Sequence, residues 1–356
     1  MDVRLSEPDW DWVIERFGAS EALEKSARDF GALRRRREIR DAPSLLRLCL
    51  GYGCGLSLRE AAGWADLNGI ATMSDVAVLK RLRGAGDWLG YLAGHLVGSR
   101  AGSTDAARPL RIVDGSMVRA PDGGLWRLHV AYDPVEHRFT HAELTDHHGA
   151  ELLERAPVSA NEIRIGDRCY ARAQGLQYLT AHGGDFIIRA GWKSFRLRHA
   201  DGGALDLQEL FDQAAQAGTV DQIAQVVNGR KQTSPTQSVR LIISPKPALA
   251  AQRSQKLARR SSQRGGHELQ PQTLRAADFM MLVTSLDAQD YPAERIIELY
   301  RLRWQVELAF KRLKSLLDFS RLPAKDTGLA RTWLLAKFVM ALLLEDIGQD
   351  ILDASP

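Results

Sequence analysis

Apolar positions recur with a helical period through the first hundred residues and with a strand period after them. From residue 8 to about 100, periodic segments lie at Trp10 to Phe17, Ser44 to Tyr52 and Leu58 to Trp64. Spacings of three and four put their apolar side chains on one face of a helix. Ser57 precedes LREAAGWADL and Ser74 precedes DVAVLKRL, so each hydroxyl can accept from the free N–H groups of a helix start. Two helices joined by a short turn across Leu58 to Leu82 predict a helix-turn-helix pair that could dock on DNA. The stretch GSRAGSTDAAR that follows is built of small and turn-forming residues and reads as a linker, with a new domain starting near Pro109.

Beyond Pro109 the period changes. The runs LRIVDGSMV, LWRLHVAYD and RFTHAELTD, separated by Pro121 to Gly124 and by Asp133 and Pro134, predict three antiparallel strands. GAELLER reads as a short helix, NEIRIGDRCY as a fourth strand, ARAQGLQYLTAHG as a helix and DFIIRAGW as a fifth strand. Three antiparallel strands followed by alternating helix and strand is the order of the ribonuclease H-like fold. Regularity weakens after Trp192 until DFMMLVTSL returns the chain to the core, and the interval holds the strand-like VRLIIS. The expected class is therefore α/β: a ribonuclease H-like catalytic core interrupted by a β-containing insertion, with an N-terminal helical domain. Its expected limits are a helical, DNA-binding domain over 1–100, a linker over 101–108, core over 109–192, insertion over 193–277, and the remaining core with C-terminal helices over 278–356.

A chain of 356 residues with 45% hydrophobic content can bury a sizeable core and exceeds one typical domain. Its formal charge of +4 permits a nucleic-acid partner without requiring one, so distribution matters more. Arg34 to Arg37 with Arg40 form one basic run. Lys246, Arg253, Lys256, Arg259, Arg260 and Arg264 form another with no intervening acid, and backbone contact with DNA is expected there. Cys49, Cys54 and Cys169 form no CxxC pair, which argues against disulfides and structural zinc. No apolar run reaches about 18 residues and no secretion signal opens the chain, so a cytoplasmic protein away from membranes is expected. His141, His147 and His148 cluster without an HxxxH helix, a poor pattern for a metal site. A glycine-rich nucleotide loop is also absent.

Three carboxylates stand out. Asp114 lies in RIVDGS, inside an otherwise apolar strand, where an ionised group is costly to bury without a partner. Asp167 closes the fourth strand in RIGDRCY. Glu307 lies in YRLRWQVELAFKRLK, Tyr300 to Lys314, which read as one helix puts Tyr300, Arg303, Glu307 and Lys314 within an arc of roughly 60° at about 100° per residue. Val306, Phe310 and Leu313 would lie on an adjoining arc and pack, and Trp304 is also expected in the core. Phosphoryl transfer with two metal ions needs converging carboxylates of this kind.

The spacing of Tyr300, Arg303, Glu307 and Lys314 resembles the YREK hallmark of bacterial insertion-sequence transposases of the DDE type, in the large branch called the IS-four family. RIVDGS, the block from TDHHGAELLER to DFIIRAGW, and YPAERIIELYRLRWQVELAFKRLKSLL look like that family's characteristic blocks. The match covers the chain from about Pro109 onward, poorly over the insertion. It implies that Asp114, Asp167 and Glu307 bind two Mg²⁺ ions (Mn²⁺ substituting) and are catalytic. It also implies that Tyr300, Arg303 and Lys314 hold phosphates, with Arg168, Arg189 and Trp192 as further DNA-binding candidates. The implied activity is cleavage at terminal inverted repeats and joining of the 3′ ends to target DNA, with a homodimer in a synaptic complex. Cys169 stands where the family commonly has glycine, which puts the turn after Asp167 in question. Many relatives carry a longer C-terminal helical region, so an inactive, truncated DNA-binding remnant is one alternative, and a stand-alone ribonuclease H-like nuclease is another.

Overall fold

The computed structural model describes residues 7–100, 108–119, 123–227, 235–266, 268–316 and 326–354. Most of the expected linker lies outside this set, as do Pro121, Asp122 and the side chain of Leu313. The first hundred residues form α1 (Glu7–Glu15), α2 (Ala19–Asp29), α3 (Ala42–Gly53), α4 (Leu58–Leu67), α5 (Asp75–Arg83) and α6 (Gly86–Arg100). The predicted caps are present: Ser57 and Glu60 close a reciprocal capping box on α4, and the Ser74 hydroxyl accepts from the Ala77 N–H at 3.2 Å.

The chain then runs through β1 (Leu110–Arg119), β2 (Leu125–Asp133), β3 (Arg138–Asp146), β4 (Ile163–Gly166), α7 (Ala173–Ala181) and β5 (Asp185–Ala190). Next come β6 (Arg196–Arg198), α8 (Leu207–Ala217), β7 (Val220–Val227), β8 (Pro235–Pro245), α9 (Ala248–Gly265), α10 (Pro271–Ala277) and β9 (Phe279–Thr284). It finishes with α11 (Ala293–Arg301), α12 (Trp304–Leu316) and α13 (Thr327–Ala354). The strands join in one sheet of order β3-β2-β1-β4-β5-β9-β8-β7-β6. β1, β4 and β5 run parallel, and the remaining neighbours are antiparallel. The strands of 193–277 therefore continue the sheet outward from β9.

Both faces of the central strands are covered, which explains their nearly continuous apolar sequence. Ile112, Ile165, Ile187 and Leu282 face one core with the N-terminal helices and α13, while Val113, Ile188, Leu241 and Val283 face a second core with α7 and α8. Alternation along each strand divides the two sets. Within α13, Thr327–Gly348 is long and apolar enough to cross a membrane, contrary to the expectation that no run reaches that length. Yet 72% of that window is buried inside the molecule, packed on α3, α5 and α6, which makes it a core helix.

Two local expectations fail. GAELLER is extended, with only a single 3₁₀ turn at Leu153–Arg155. The proposed continuous helix from Tyr300 to Lys314 is two helices, broken at Leu302 and Arg303. There the N–H groups of Leu302, Arg303 and Gln305 donate to carbonyls three residues back, at 3.1, 3.1 and 2.9 Å. That tighter winding alters the phase of every residue beyond it.

Candidate active site

β1 and β4 pair in parallel register from Leu110 opposite Ile163 to Ile112 opposite Ile165. The same register carried two residues further brings Asp114 level with Asp167. Asp114 Oδ1 accepts the Gly115 N–H at 2.8 Å, and its side chain is 18% exposed. Burial pushes its pKa up to about 6, against the pull of the Gly115 N–H and Arg303 and with a further push from Asp167 and Glu151. Asp167 Oδ1 accepts the Cys169 N–H at 2.7 Å and so starts the 3₁₀ turn Arg168–Tyr170. Cys169 does not take a positive φ, so this turn does not need a glycine there.

Glu307 lies in the first turn of α12 and is 56% exposed. Val306 and Phe310 of the same helix are buried, and the Phe310 ring meets Phe139 of β3 at 6.3 Å. Arg303 donates from Nη2 to Glu307 Oε1, while its Nη1 lies 3.8 Å from Asp114 Oδ2. One guanidinium thus ties the third carboxylate to the first. Glu307, Lys311, Lys314, Phe310, Ser116 and Gly115 line an open cleft of about 550 Å³.

Tyr300 is buried rather than displayed beside Glu307, a consequence of the break between α11 and α12. Burial raises its pKa while Arg303 and Arg189 lower it. Its hydroxyl has no partner with good hydrogen-bond geometry, although Arg189 is near enough to act on it electrostatically. Arg168 and Arg189 also act on Lys246, whose pKa falls to about 8, chiefly through burial and then through these cations. Lys246 Nζ donates to Ala277 O at 2.6 Å and Ser254 Oγ at 3.1 Å. The basic segment that begins at Lys246 therefore starts near Arg168 and Arg189. Trp192 is half-buried against the second core with Lys193 Nζ 4.5 Å from its ring centre, so it packs more than it displays. Trp304 reverses its expectation: it is 54% exposed because the helix break turns it outward.

Among the described residues no three His, Cys, Asp or Glu side chains converge closely enough to hold a metal ion. Arg303 stands between Asp114 and Glu307, where a cation would compete with it. The donor set nevertheless suits a hard divalent ion: these groups offer only carboxylate oxygens, and Asp114 is buried where a cation would relieve it. Sequence reasoning missed Glu151, a fourth carboxylate near this pair. No spacing rule connects it to them; only the adjoining Gly149 and Ala150 mark a tight turn.

A second concavity, of about 880 Å³, lies among the N-terminal helices and the start of α13. Arg34, Arg35, Arg37, Lys80, Arg83 and Arg331 line it, with Glu38 and Asp87 opposing them.

Residues 105–344 match the family model described as "Transposase DDE domain". The transposase for insertion sequence element IS421 of Escherichia coli is 42% identical over 99% of this chain and 98% of its own length. The protein named transposase InsL for insertion sequence element IS186A of Escherichia coli (strain K12) is 43% identical over the same shares.

Proposed function

The chain belongs to the transposase DDE domain family and is a DNA transposase with that family's ribonuclease H-like fold, and from this premise we propose that Asp114, Asp167 and Glu307 are its catalytic triad. The observation that carries the reading is Arg303: it donates to Glu307 and lies 3.8 Å from Asp114, which the β1–β4 register, continued past Ile112 and Ile165, brings level with Asp167. The spacing of Tyr300, Arg303, Glu307 and Lys314 supports placement in the IS-four branch.

DDE transposase domains depend on divalent metal, and the ion proposed here is Mg²⁺, with Mn²⁺ able to replace it. Asp114, Asp167 and Glu307 would hold it. When bound it supplies charge to the scissile phosphate and acidity to the attacking water. The chain's own groups supply the rest. Arg303 offers a planar fork to a phosphate and Lys314 a point charge from the cleft wall. Arg168, Arg189 and Lys246 extend positive charge from the strand ends toward α9. The reaction is cleavage at the terminal inverted repeats, after which the freed 3′-hydroxyl attacks target DNA. The basic concavity between α5 and α13 suits the backbone of the element end. Synapsis of two ends calls for two copies of the chain.

Strand transfer with labelled element-end DNA tests the reading. Joined product from wild type, and none from Asp114→Asn or Glu307→Gln, is the expected result. Cleavage without joining would indicate a stand-alone nuclease, and end binding without either reaction a remnant. The relatives match over 98% of their own length, so they provide no length argument for the remnant.

A further inference from the structure

Glu151 lies in the segment between β3 and the 3₁₀ turn at Leu153–Arg155, and that segment is tied at several points. Asp146 Oδ1 accepts the N–H groups of His148 and Gly149 at 2.9 and 3.2 Å. Arg127 Nη1 donates to Gly149 O at 2.7 Å, and Arg155 Nε donates to Ala150 O at 2.6 Å. These bonds deliver the Glu151 carboxylate, 18% exposed, onto the backbone of β1 at Gly115. A Cβ added to Gly115 would collide with Glu151 Oε1 and stand 3.1 Å from its Cγ and Cδ. An alanine there would make the Glu151 carboxylate, the end of a flexible side chain, swing away, so glycine lets it lie so close. Gly115 follows Asp114, so by alternation Glu151 backs the site from the opposite side of the strand.

The neighbours of Glu151 are the groups of the site. The Cys169 thiol is within reach of both Glu151 and Asp167, and one S–H can serve only one acceptor at a time. Arg127 Nε is 3.9 Å from Glu151 Oε1, too far for a tight ion pair. Glu151 thus lies near Asp114 and Asp167 with only a loose counter-charge from Arg127.

We propose that Glu151 is a positioning residue of this reaction centre, a fourth carboxylate that braces Asp114 and Asp167 from behind and strengthens their hold on divalent metal. The proposal rests on the triad reading above. It acts through the Asp114–Gly115 backbone and the Cys169 thiol, and Glu151 need not touch DNA or metal.

The test is Mn²⁺ binding to the full chain, read from the electron paramagnetic resonance of free Mn²⁺, with thermal unfolding as a check on folding. Glu151→Gln keeps the shape and removes the charge. It should weaken Mn²⁺ binding by about tenfold, in the range found for groups that support metal ligands, with unfolding unchanged. Glu151→Asp should recover part of the loss, and Asp114→Asn should lose more. Unchanged Mn²⁺ affinity in Glu151→Gln, alongside a loss in Asp114→Asn, would overturn the proposal and leave the triad standing. Wild-type binding that Asp114→Asn does not reduce would instead sink the triad, and this proposal with it. Gly115→Ala supplies the steric arm. It should weaken Mn²⁺ binding in wild type and cost little more in a Glu151→Ala background, where the collision is gone; equal losses in both backgrounds would refute the bracing contact.

Discussion

Two arginines on opposite sides of the sheet's centre are paired with carboxylates, and they do different work. Arg164 is 1% exposed and its partner Glu162 is fully buried. Arg164 Nε donates to Glu162, and its other nitrogens donate to Leu153 O, Ala156 O and Pro157 O at 2.6, 3.1 and 2.7 Å. Glu162 Oε2 in turn accepts the Ser159 N–H at 2.8 Å. Arg303 is 20% exposed, shares itself between Glu307 and a looser contact to Asp114, and faces a cleft. A saturated guanidinium holds the fold; one with capacity to spare among carboxylates can exchange partners with a ligand.

The contrast can be broken from either side. The largest expected effect is on the open side: Glu307→Gln should lower strand transfer on the order of 10⁴-fold, with an unchanged unfolding curve. On the closed side, Arg164→Met should destabilise the protein by about 3–5 kcal/mol, because it strands Glu162 as a buried charge. Denaturant unfolding measures that loss, and a loss below about 1 kcal/mol would contradict the assignment.

Asp114 sharpens the comparison through pH. Its pKa is raised in the fold from 3.8 to about 6, so folding favours the protonated form. The contribution is therefore fully present below about pH 4, fades as pH rises toward 6, and leaves a constant cost of roughly 3 kcal/mol above that. With EDTA present, Asp114→Asn should be more stable than wild type at pH 7, and the two should converge by pH 4. Convergence at high pH instead would reverse the sign and refute the burial argument. The smallest effect belongs to Arg303→Ala, whose stability should change by no more than about 1 kcal/mol. Its binding to end DNA should lose about one unit from the slope of log affinity against log salt, measured by titration at several salt concentrations.

Legibility in the sequence followed locality. The caps at Ser57 and Ser74 were readable because a cap involves only residues three apart. Asp114 was readable because a charge interrupts an apolar strand. Trp304 was misread and Tyr300 misplaced for a single reason: nothing among Leu302, Arg303 and Trp304 is a helix breaker, so a continuous helix was the natural expectation. The break comes from packing of α11 and α12 against different parts of the sheet, α11 on β5 and α12 on β1. Glu151 escaped notice because its partner is a glycine on a strand far away in the sequence.

The sequence by itself determined which segments are helix and strand across most of the chain, and the carboxylates and cations available for chemistry. It could do so because propensity, capping and alternation act over a few residues. Only the tertiary structure decided that the strands after Trp192 join the main sheet, that Arg303 bridges Asp114 to Glu307, and that Glu151 lies against Gly115. Those outcomes depend on burial and electrostatic fields, which exist only once distant segments are brought together.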